Sequence, residues 1–217
     1  MTKRATASPA RRLDQLRADA RACRNCPLWR LGTQTVFGAG PARASIMFVG
    51  EQPGDQEDVA GEPFVGPAGR LLREAMADAG LDPSRVYLTN AVKHFKWKAR
   101  GQRRIHEKPN REEILACRIW LDQELAVVRP RVLVALGATA AGALLGSSVR
   151  VTRDRGRPLP SPLAPVVIVT VHPSSILRAP DAATRRQARA DFVRDLQGVG
   201  SVFHRHDGRG AKPADAP

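Results

Sequence analysis

The sequence predicts an α/β fold of three layers, in which helices cover both faces of a short, mostly parallel sheet of four strands. Three observations lead to this prediction. Apolar, β-branched runs of strand length occur at residues 45–49, 86–89, 132–136 and 166–171. The segments between these runs have the spacing of amphipathic helices. The length of 217 residues is enough to bury the core of one such domain.

Helices are predicted in the connecting segments, at residues 13–23, 70–79, 111–128, 138–145 and 185–196. The third has clear end signals, because Asn110 is a suitable N-cap and Pro130 follows its last turn. Residues 1–12 and 204–217 are polar and lack periodicity, so we expect a flexible N-terminus and a disordered tail. The domain is therefore expected to span residues 13–203.

The composition points to a polyanionic partner. There are 35 Lys and Arg against 21 Asp and Glu, a formal charge of +14, and nucleic acid is the first candidate, although a general bias toward arginine is an alternative. Three cysteines cannot all pair, and no export signal is evident, so we expect a cytoplasmic protein without a disulfide framework. No apolar run approaches the roughly 20 residues that span a bilayer. A monomer is the simplest assembly.

Polar or glycine residues follow all four predicted strands. They are Glu51 after the first strand, Asn90 after the second, Gly137 after the third and His172 after the fourth. Because ligands bind at the carboxyl ends of the strands in open α/β sheets, these residues are expected to form one composite site.

The stretch from residue 50 to residue 69, GEQPGDQEDVAGEPFVGPAG, joins the first strand to a helix. Its glycines let the backbone approach a ligand closely, Glu51 and Asp55 supply carboxylates, and Phe64 presents a flat face. Such a loop suits a planar ligand. The sequence of this loop resembles that of the iron–sulfur uracil-DNA glycosylases known as family 4. The glutamine at position 52 makes it similar to the branch called UdgX. The resemblance extends over about residues 20–200.

This resemblance implies a pocket for an extruded uracil, bound by Gln52, Phe64, Asn90 and His172. An amide at Asn90 can accept from uracil N3–H and donate to O4, an edge that cytosine presents with reversed polarity. Stacking on Phe64 would contribute about 1–3 kcal/mol. From the residues alone, Asn90 also fits a turn cap and Phe64 a core aromatic.

His172 begins the segment HPSSILR, which resembles the His-Pro-x-x-Leu-type motif of the same superfamily. The resemblance implies that His172 faces uracil O2 and stabilises the negative charge that develops there as the glycosidic bond breaks. It also implies DNA contacts from Ser174 and Arg178. A histidine satisfied within the core is the alternative.

Cys23 and Cys26 form a CxxC pair with no strand directly before it, which favours metal ligation over a thioredoxin-like redox pair. Cys117 is a further candidate, or else a buried apolar thiol. The family has a cysteine after Asn-x-Val-Lys, where this chain has His94. The resemblance therefore implies a [4Fe-4S] cluster held by Cys23, Cys26, His94 and Cys117, and zinc suits the same four ligands.

The basic segment KWKARGQRRIHEK at residues 96–108 follows the second strand. Such a run is usually a solvated face. However, Arg103, Arg104 and His106 lie in a sequence, RRIH, that resembles the loop distinguishing UdgX from other family 4 enzymes, with Gln102 where that loop usually begins with Lys. The two arginines are expected to bind DNA.

The resemblance further implies that His106 attacks C1′ of the sugar after uracil leaves and remains bonded to it. Glu51 would orient His106 or accept its proton, and Asp55 would position water. We therefore expect a uracil-DNA glycosylase that prefers single strands and is captured by its own product. The alternatives are an ordinary family 4 enzyme that turns over and a non-catalytic nucleic-acid binding module.

Overall fold

The computed structural model describes residues 7–207, with side chains up to residue 201. The strands are β1 (Ile46–Gly50), β2 (Val86–Asn90), β3 (Trp97–Arg100), β4 (Arg103–His106), β5 (Val132–Leu136), β6 (Pro158–Leu159) and β7 (Val166–Thr170). The helices are α1 (Pro9–Ala20), α2 (Asp55–Ala60), α3 (Pro67–Asp78), α4 (Arg111–Val128), α5 (Gly137–Leu145), α6 (Val151–Asp154), α7 (Pro173–Leu177) and α8 (Ala182–Asp207). Single 3₁₀ turns lie at Pro27–Arg30 and Pro83–Arg85.

The central sheet confirms the predicted fold class, with one correction. Its order is β2-β1-β5-β7-β6, and the first four of these strands pair in parallel. The predicted sheet had four strands, whereas a fifth, β6, pairs antiparallel to β7 at the edge. This strand has two residues, one of them Pro158, and so short a segment has no periodicity to detect.

Helices cover both faces of the sheet. On one face, Met47 and Val49 of β1 pack in a buried cluster with α4 and α5, which contribute Leu121 and Ala140. On the other, residues of β1, β5 and β7 pack against α3 and α8. Because successive side chains of a strand point to opposite faces, strands buried on both sides are apolar throughout, as the sequence shows.

The first helix both begins and ends earlier than the predicted residues 13–23, and the last helix is longer than predicted. Ser8 caps α1 by accepting from Arg11 N–H, so this helix begins at Pro9 rather than at residue 13. Helix α8 runs to Asp207, past the expected end at residue 196. The flexibility expected at residues 1–6 and 208–217 lies outside the described part of the chain. Between residues 7 and 207, no helix combines the length and apolar character that crossing a bilayer requires.

Candidate active site

The carboxyl ends of β1, β2, β5 and β7 open into one cleft of about 1000 Å³. Its walls include the residues predicted at the carboxyl ends of the four strands: Glu51, Asn90, Gly137 and His172. The composite site predicted from the sequence is therefore present. Asp55, Phe64, His106 and Arg178 line the same cleft.

Phe64 has a strained backbone. Its φ of +60° lies in the left-handed region, which an aromatic residue rarely adopts and which often marks functional sites. Arg73 Nη1 donates to the Phe64 carbonyl oxygen at 2.9 Å, and helix α3 passes so close that a Cβ on Gly69 would lie 1.6 Å from that oxygen. The Phe64 and His172 rings stack with centroids 6.2 Å apart. These contacts hold Phe64 in its strained conformation, in which its ring lines the cleft.

Asn90 ends β2 with only 3% of its surface exposed. Gly50 on the neighbouring strand makes room for it, since a Cβ there would lie 2.3 Å from Asn90 Oδ1 and 2.7 Å from Phe64 Cζ. Among the residues that the structure describes, none makes a hydrogen bond to the Asn90 side-chain amide. The amide lines the cleft and its polar atoms are not fully enclosed, so it is available to a ligand there.

His172 is held as a neutral donor. The main-chain N–H of Ser174 donates to His172 Nδ1 at 3.2 Å, and Ser174 Oγ lies 2.8 Å from the same atom. Because a backbone N–H can only donate, Nδ1 has the lone pair and Nε2 has the proton. Burial lowers the pKa of His172 to about 4, against an opposing effect of Glu51. Ser174 therefore orients this histidine, and its predicted contact with DNA stays a prediction.

We expect the burial of His172 to make the free energy of unfolding depend on pH. Its folded-state pKa of about 4 lies below the value of about 6.5 in an unfolded chain, so the unfolded state binds the proton first. The free energy of unfolding is therefore highest above about pH 6.5 and falls by about 3 kcal/mol as the pH is lowered to about 4. Denaturant titrations of the wild type and His172→Gln over this range measure it. A constant difference between the two proteins would contradict the assignment.

Glu51 connects His106 to the helix on the far side of the cleft. Its Oε1 lies 3.2 Å from His106 Nε2, and Thr139 Oγ1 donates to Oε2. Burial raises the pKa of Glu51, but the hydrogen bonds from His106 and Thr139 outweigh it and lower the pKa overall. A carboxylate acceptor keeps one ring nitrogen of His106 protonated and leaves the other with the lone pair that a nucleophile needs.

The basic segment forms an antiparallel hairpin, β3–β4, and His106 lies at its end with a side chain that is 49% exposed. Gln52 anchors the base of the hairpin. Its Oε1 accepts from Lys96 N–H at 3.2 Å, and its Nε2 donates to the carbonyl oxygens of Lys96 and Glu107 at 3.1 Å. The side-chain amide of Gln52 is thus engaged by the hairpin, although the residue also lines the cleft, and its binding of uracil stays a prediction.

Arg104 is also held by other residues of the protein. Its guanidinium lies 2.6 Å from Asp58 Oδ2 and 2.6 Å from Asp55 Oδ1, and it stacks over Phe95 and Trp97. Asp58 itself is fully buried. The charge of Arg104 is therefore neutralised within the protein, and the residue ties the hairpin to α2, while its contact with DNA stays a prediction.

Two predicted DNA contacts remain accessible. Arg103 is exposed on the hairpin, and Arg178 is exposed at the rim of the cleft. The structure therefore leaves their assignment as a prediction.

The three cysteines lie close together. Cys23 and Cys117 are buried, and Cys26 is partly buried in the same cluster. Burial raises the pKa of the Cys117 thiol to about 12; Lys93 opposes this rise, and Cys26 and Cys23 add to it. Burial also raises the pKa of Cys26. Trp120 Nε1 donates to Cys23 Sγ and Lys93 N–H donates to Cys117 Sγ, both at 3.2 Å.

His94 is oriented by Thr35. Thr35 Oγ1 donates to the Ala20 carbonyl at 2.9 Å and lies 3.1 Å from His94 Nε2. Because its single hydroxyl proton is used, Thr35 accepts from His94 Nε2–H, which leaves the lone pair on Nδ1 for a metal. The Ala20 carbonyl also accepts from Cys23 N–H. Burial lowers the pKa of His94 and favours the neutral ring.

These donors suit a metal centre, although not a compact one. Over residues 7–207, no three histidine, cysteine or carboxylate side chains are arranged around a single point that one metal ion could occupy. The predicted ligands Cys23, Cys26, His94 and Cys117 supply three thiols and a neutral imidazole, donors that iron–sulfur clusters and zinc accept, and the ligand set stays a prediction.

Sequence reasoning missed Thr139, Asp58 and Lys93. Thr139 has a readable signal, since it is a polar residue in the first turn of the helix after the third strand. Asp58 lies three residues after Asp55 on one helix, a spacing that places both on the same face. No periodicity distinguishes Lys93, which is fully buried in a bend after β2.

Comparison with known proteins agrees with this geometry. A sequence model described as the Uracil DNA glycosylase superfamily matches residues 37–197. The chain belongs to this superfamily. The match begins before β1 and extends into α8, so it contains every strand of the glycosylase-like sheet and all the cleft residues named above.

Three relatives in the superfamily are named type-4 uracil-DNA glycosylases. The protein of Pyrobaculum aerophilum is 36% identical over 181 residues, 80% of this chain and 86% of its own length. That of Thermotoga maritima is 39% identical over 171 residues, 78% of this chain and 85% of its own. That of Archaeoglobus fulgidus is 34% identical over 197 residues, 88% of this chain and 92% of its own.

Proposed function

We propose that this chain is a uracil-DNA glycosylase that excises uracil, preferentially from single-stranded DNA, and then forms a covalent bond to the abasic site through His106. The observation on which this rests is the buried Asn90 amide, which has no partner in the described part of the protein and lies beside Phe64. The names of the three relatives support the excision of uracil.

Base release follows from the arrangement of the cleft. Asn90 binds the N3–H and O4 of an extruded uracil while Phe64 stacks on the ring. When the bond between N1 and C1′ breaks, its electron pair goes to the base, and the charge develops on N1 and O2. The neutral His172, with its proton on Nε2, donates to O2 and stabilises the leaving anion.

The covalent step uses the pair formed by His106 and Glu51. The ring nitrogen with the lone pair forms a bond to the electron-deficient C1′, and the ring becomes cationic. Its proton on the other nitrogen, which faces Glu51 at 3.2 Å, passes to the carboxylate. Atoms and charge then balance: uracil leaves as an anion that takes up a proton from solvent, and the sugar carbon exchanges one nitrogen for another.

Turnover by water is the second candidate. It is favoured by the names of the relatives and by Asp55, which lines the cleft with a half-exposed side chain. One oxygen of Asp55 pairs with Arg104, and the other remains to orient water.

The charge of +14 supports binding to the DNA backbone, with Arg103 and Arg178 exposed near the cleft. Extrusion of a base costs least from a strand that is already unpaired, which supports the preference for single-stranded DNA. A monomer suffices for this chemistry, since every group named above belongs to one chain.

The test is to mix the protein with a labelled single strand containing one uracil, denature the mixture and separate it on a gel, with a thymine strand as control. A uracil-dependent band that survives heat and detergent supports covalent capture. An alkali-labile strand without that band supports turnover. Salt-dependent binding with neither product supports a binding module.

We expect Gln52→Leu to reduce covalent capture at least about tenfold while uracil release continues. The substitution removes the three hydrogen bonds that hold the hairpin base, and a displacement of about 1 Å at His106 is enough to lose most of the rate of attack. Single-turnover assays that count free uracil and attached strand separately measure the ratio. Gln187→Leu, the same substitution on helix α8 away from the hairpin and the cleft, is the control for the loss of a glutamine hydrogen bond. An unchanged ratio in Gln52→Leu would contradict the anchoring role.

We also propose that Cys23, Cys26, His94 and Cys117 hold a [4Fe-4S] cluster. Three thiols and a neutral imidazole suit a cluster and also zinc, and the resemblance to the iron–sulfur glycosylases of family 4 favours the cluster. When bound, the cluster supplies a cross-link between the segment after α1, the segment after β2 and helix α4. Thr35 orients His94 toward it, and no step of base release passes through it.

We expect Cys117→Ser to lose iron and visible absorbance and to unfold at a lower temperature, because metal binding contributes directly to the free energy of unfolding. Iron analysis, absorption spectra before and after dithionite, and thermal melting measure these effects. A colourless wild-type protein with one zinc per chain would refute the cluster and leave the ligand set in place.

A further inference from the structure

Lys93 is fully buried, and base release as described above gives it no role. Its Nζ donates to Glu124 Oε2 at 2.5 Å, to Thr89 Oγ1 at 2.6 Å and to the main-chain oxygen of Asn90 at 2.9 Å. All three ammonium protons are therefore used. Glu124 is equally buried and also accepts from the Tyr87 hydroxyl at 3.0 Å.

Stability does not explain this arrangement. Removing two charges from water costs about as much as their attraction returns, and well-packed apolar residues in their place are often as stable or more so. The hydrogen bond from the buried Lys93 to the main-chain oxygen of Asn90 therefore points to a role in fixing the backbone at the end of β2.

The peptide group after Asn90 is held from both sides. The Ala91 N–H donates to the Gly50 carbonyl at 2.9 Å, and the Asn90 carbonyl accepts from Lys93 Nζ. This peptide sets the direction of the chain where β2 ends and the Asn90 side chain enters the cleft. The main-chain N–H of Lys93 also donates to Cys117 Sγ, so one residue connects the end of β2 to the candidate metal ligands.

We propose that Lys93 is a positioning residue for uracil recognition, which holds the peptide after Asn90 so that the buried amide faces the base. The proposal rests on uracil recognition by Asn90 and is independent of the covalent step. Glu124 acts indirectly: its carboxylate neutralises the ammonium and accepts one hydrogen bond from it.

The test compares the wild type, Tyr87→Phe, and the paired variant Lys93→Met with Glu124→Gln. The paired variant removes both charges, so neither is left buried alone, and the glutamine oxygen still accepts from Tyr87. Tyr87→Phe removes one hydrogen bond to Glu124 and keeps both charges and the bond from Lys93 to the Asn90 carbonyl. The probes are single strands with a 2′-fluorinated deoxyuridine or deoxycytidine, in which the glycosidic bond resists cleavage. Thermal melting confirms that each protein is folded.

We expect the affinity ratio of the uracil strand to the cytosine strand to fall at least about tenfold in the paired variant and to stay near the wild-type value in Tyr87→Phe. A paired variant that keeps the wild-type ratio, or an equal fall in both variants, would overturn the proposal. Should the paired variant not fold, Lys93→Gln with Glu124→Gln replaces it under the same criteria. A wild type that does not discriminate the strands would instead refute the proposed function.

Discussion

His106→Ser is expected to release uracil from a single strand and to leave no protein attached to it. Serine has no ring nitrogen, so nothing on the hairpin can form the bond to C1′, and the groups that bind the base are untouched. Asn90, Phe64 and His172 belong to other elements, and the contact of His106 is with Glu51. With the side chain shortened, water can reach the sugar carbon and complete hydrolysis.

The experiment follows uracil release and strand attachment in the same reaction. Arg100→Ser is the matched control, because Arg100 is an exposed residue of the same hairpin that does not line the cleft. This control should keep both activities. Attachment that persists in His106→Ser would mean that another group is bonded to the sugar, and a loss of release would mean that His106 takes part in breaking the glycosidic bond.

Several contacts hold the hairpin, and with it His106, in a defined position. Gln52 holds the two chain ends of the hairpin, and Arg104 ties its second strand to the buried Asp58. Trp97 Nε1 adds a hydrogen bond to the Leu31 carbonyl at 2.8 Å. A nucleophile must be held close to its target to react efficiently, and these contacts limit its movement.

Much of the sheet and of the cleft could be predicted because their signals are local. Apolar runs defined the four parallel strands, and the rule that ligands bind at carboxyl ends grouped Glu51, Asn90, Gly137 and His172. The two-residue strand β6 could not be found, since its pairing depends on β7 and not on its own residues.

The partners of individual side chains could not be predicted. The sequence assigns Gln52 to uracil and Arg104 to DNA, because an amide beside a pocket and an arginine in a basic run suit those roles. The sequence does not show that both side chains are engaged by residues distant in the chain, Gln52 by Lys96 and Arg104 by Asp58. Sequence patterns show where a segment lies, but a polar side chain binds whichever group the folded chain brings near it.

Asn90→Ala is expected to lower the single-turnover rate of uracil release about a hundredfold. The amide makes two hydrogen bonds to the base in the proposed complex, and each is worth about 1.5 kcal/mol when the partner would otherwise be buried alone. Together they amount to about 3 kcal/mol, a factor of about a hundred. The variant should still fold, because the described structure has no protein group bonded to that amide.

Asn110→Ala controls for the general effect of losing an asparagine, since Asn110 caps helix α4 and does not line the cleft. It should cost about 1 kcal/mol of stability without changing the rate. Binding to a strand without uracil should be the same for both variants and the wild type, because phosphate contacts do not involve either side chain. If Asn90→Ala releases uracil at the wild-type rate, another group must recognise the base. The unpartnered amide would then be a feature of packing.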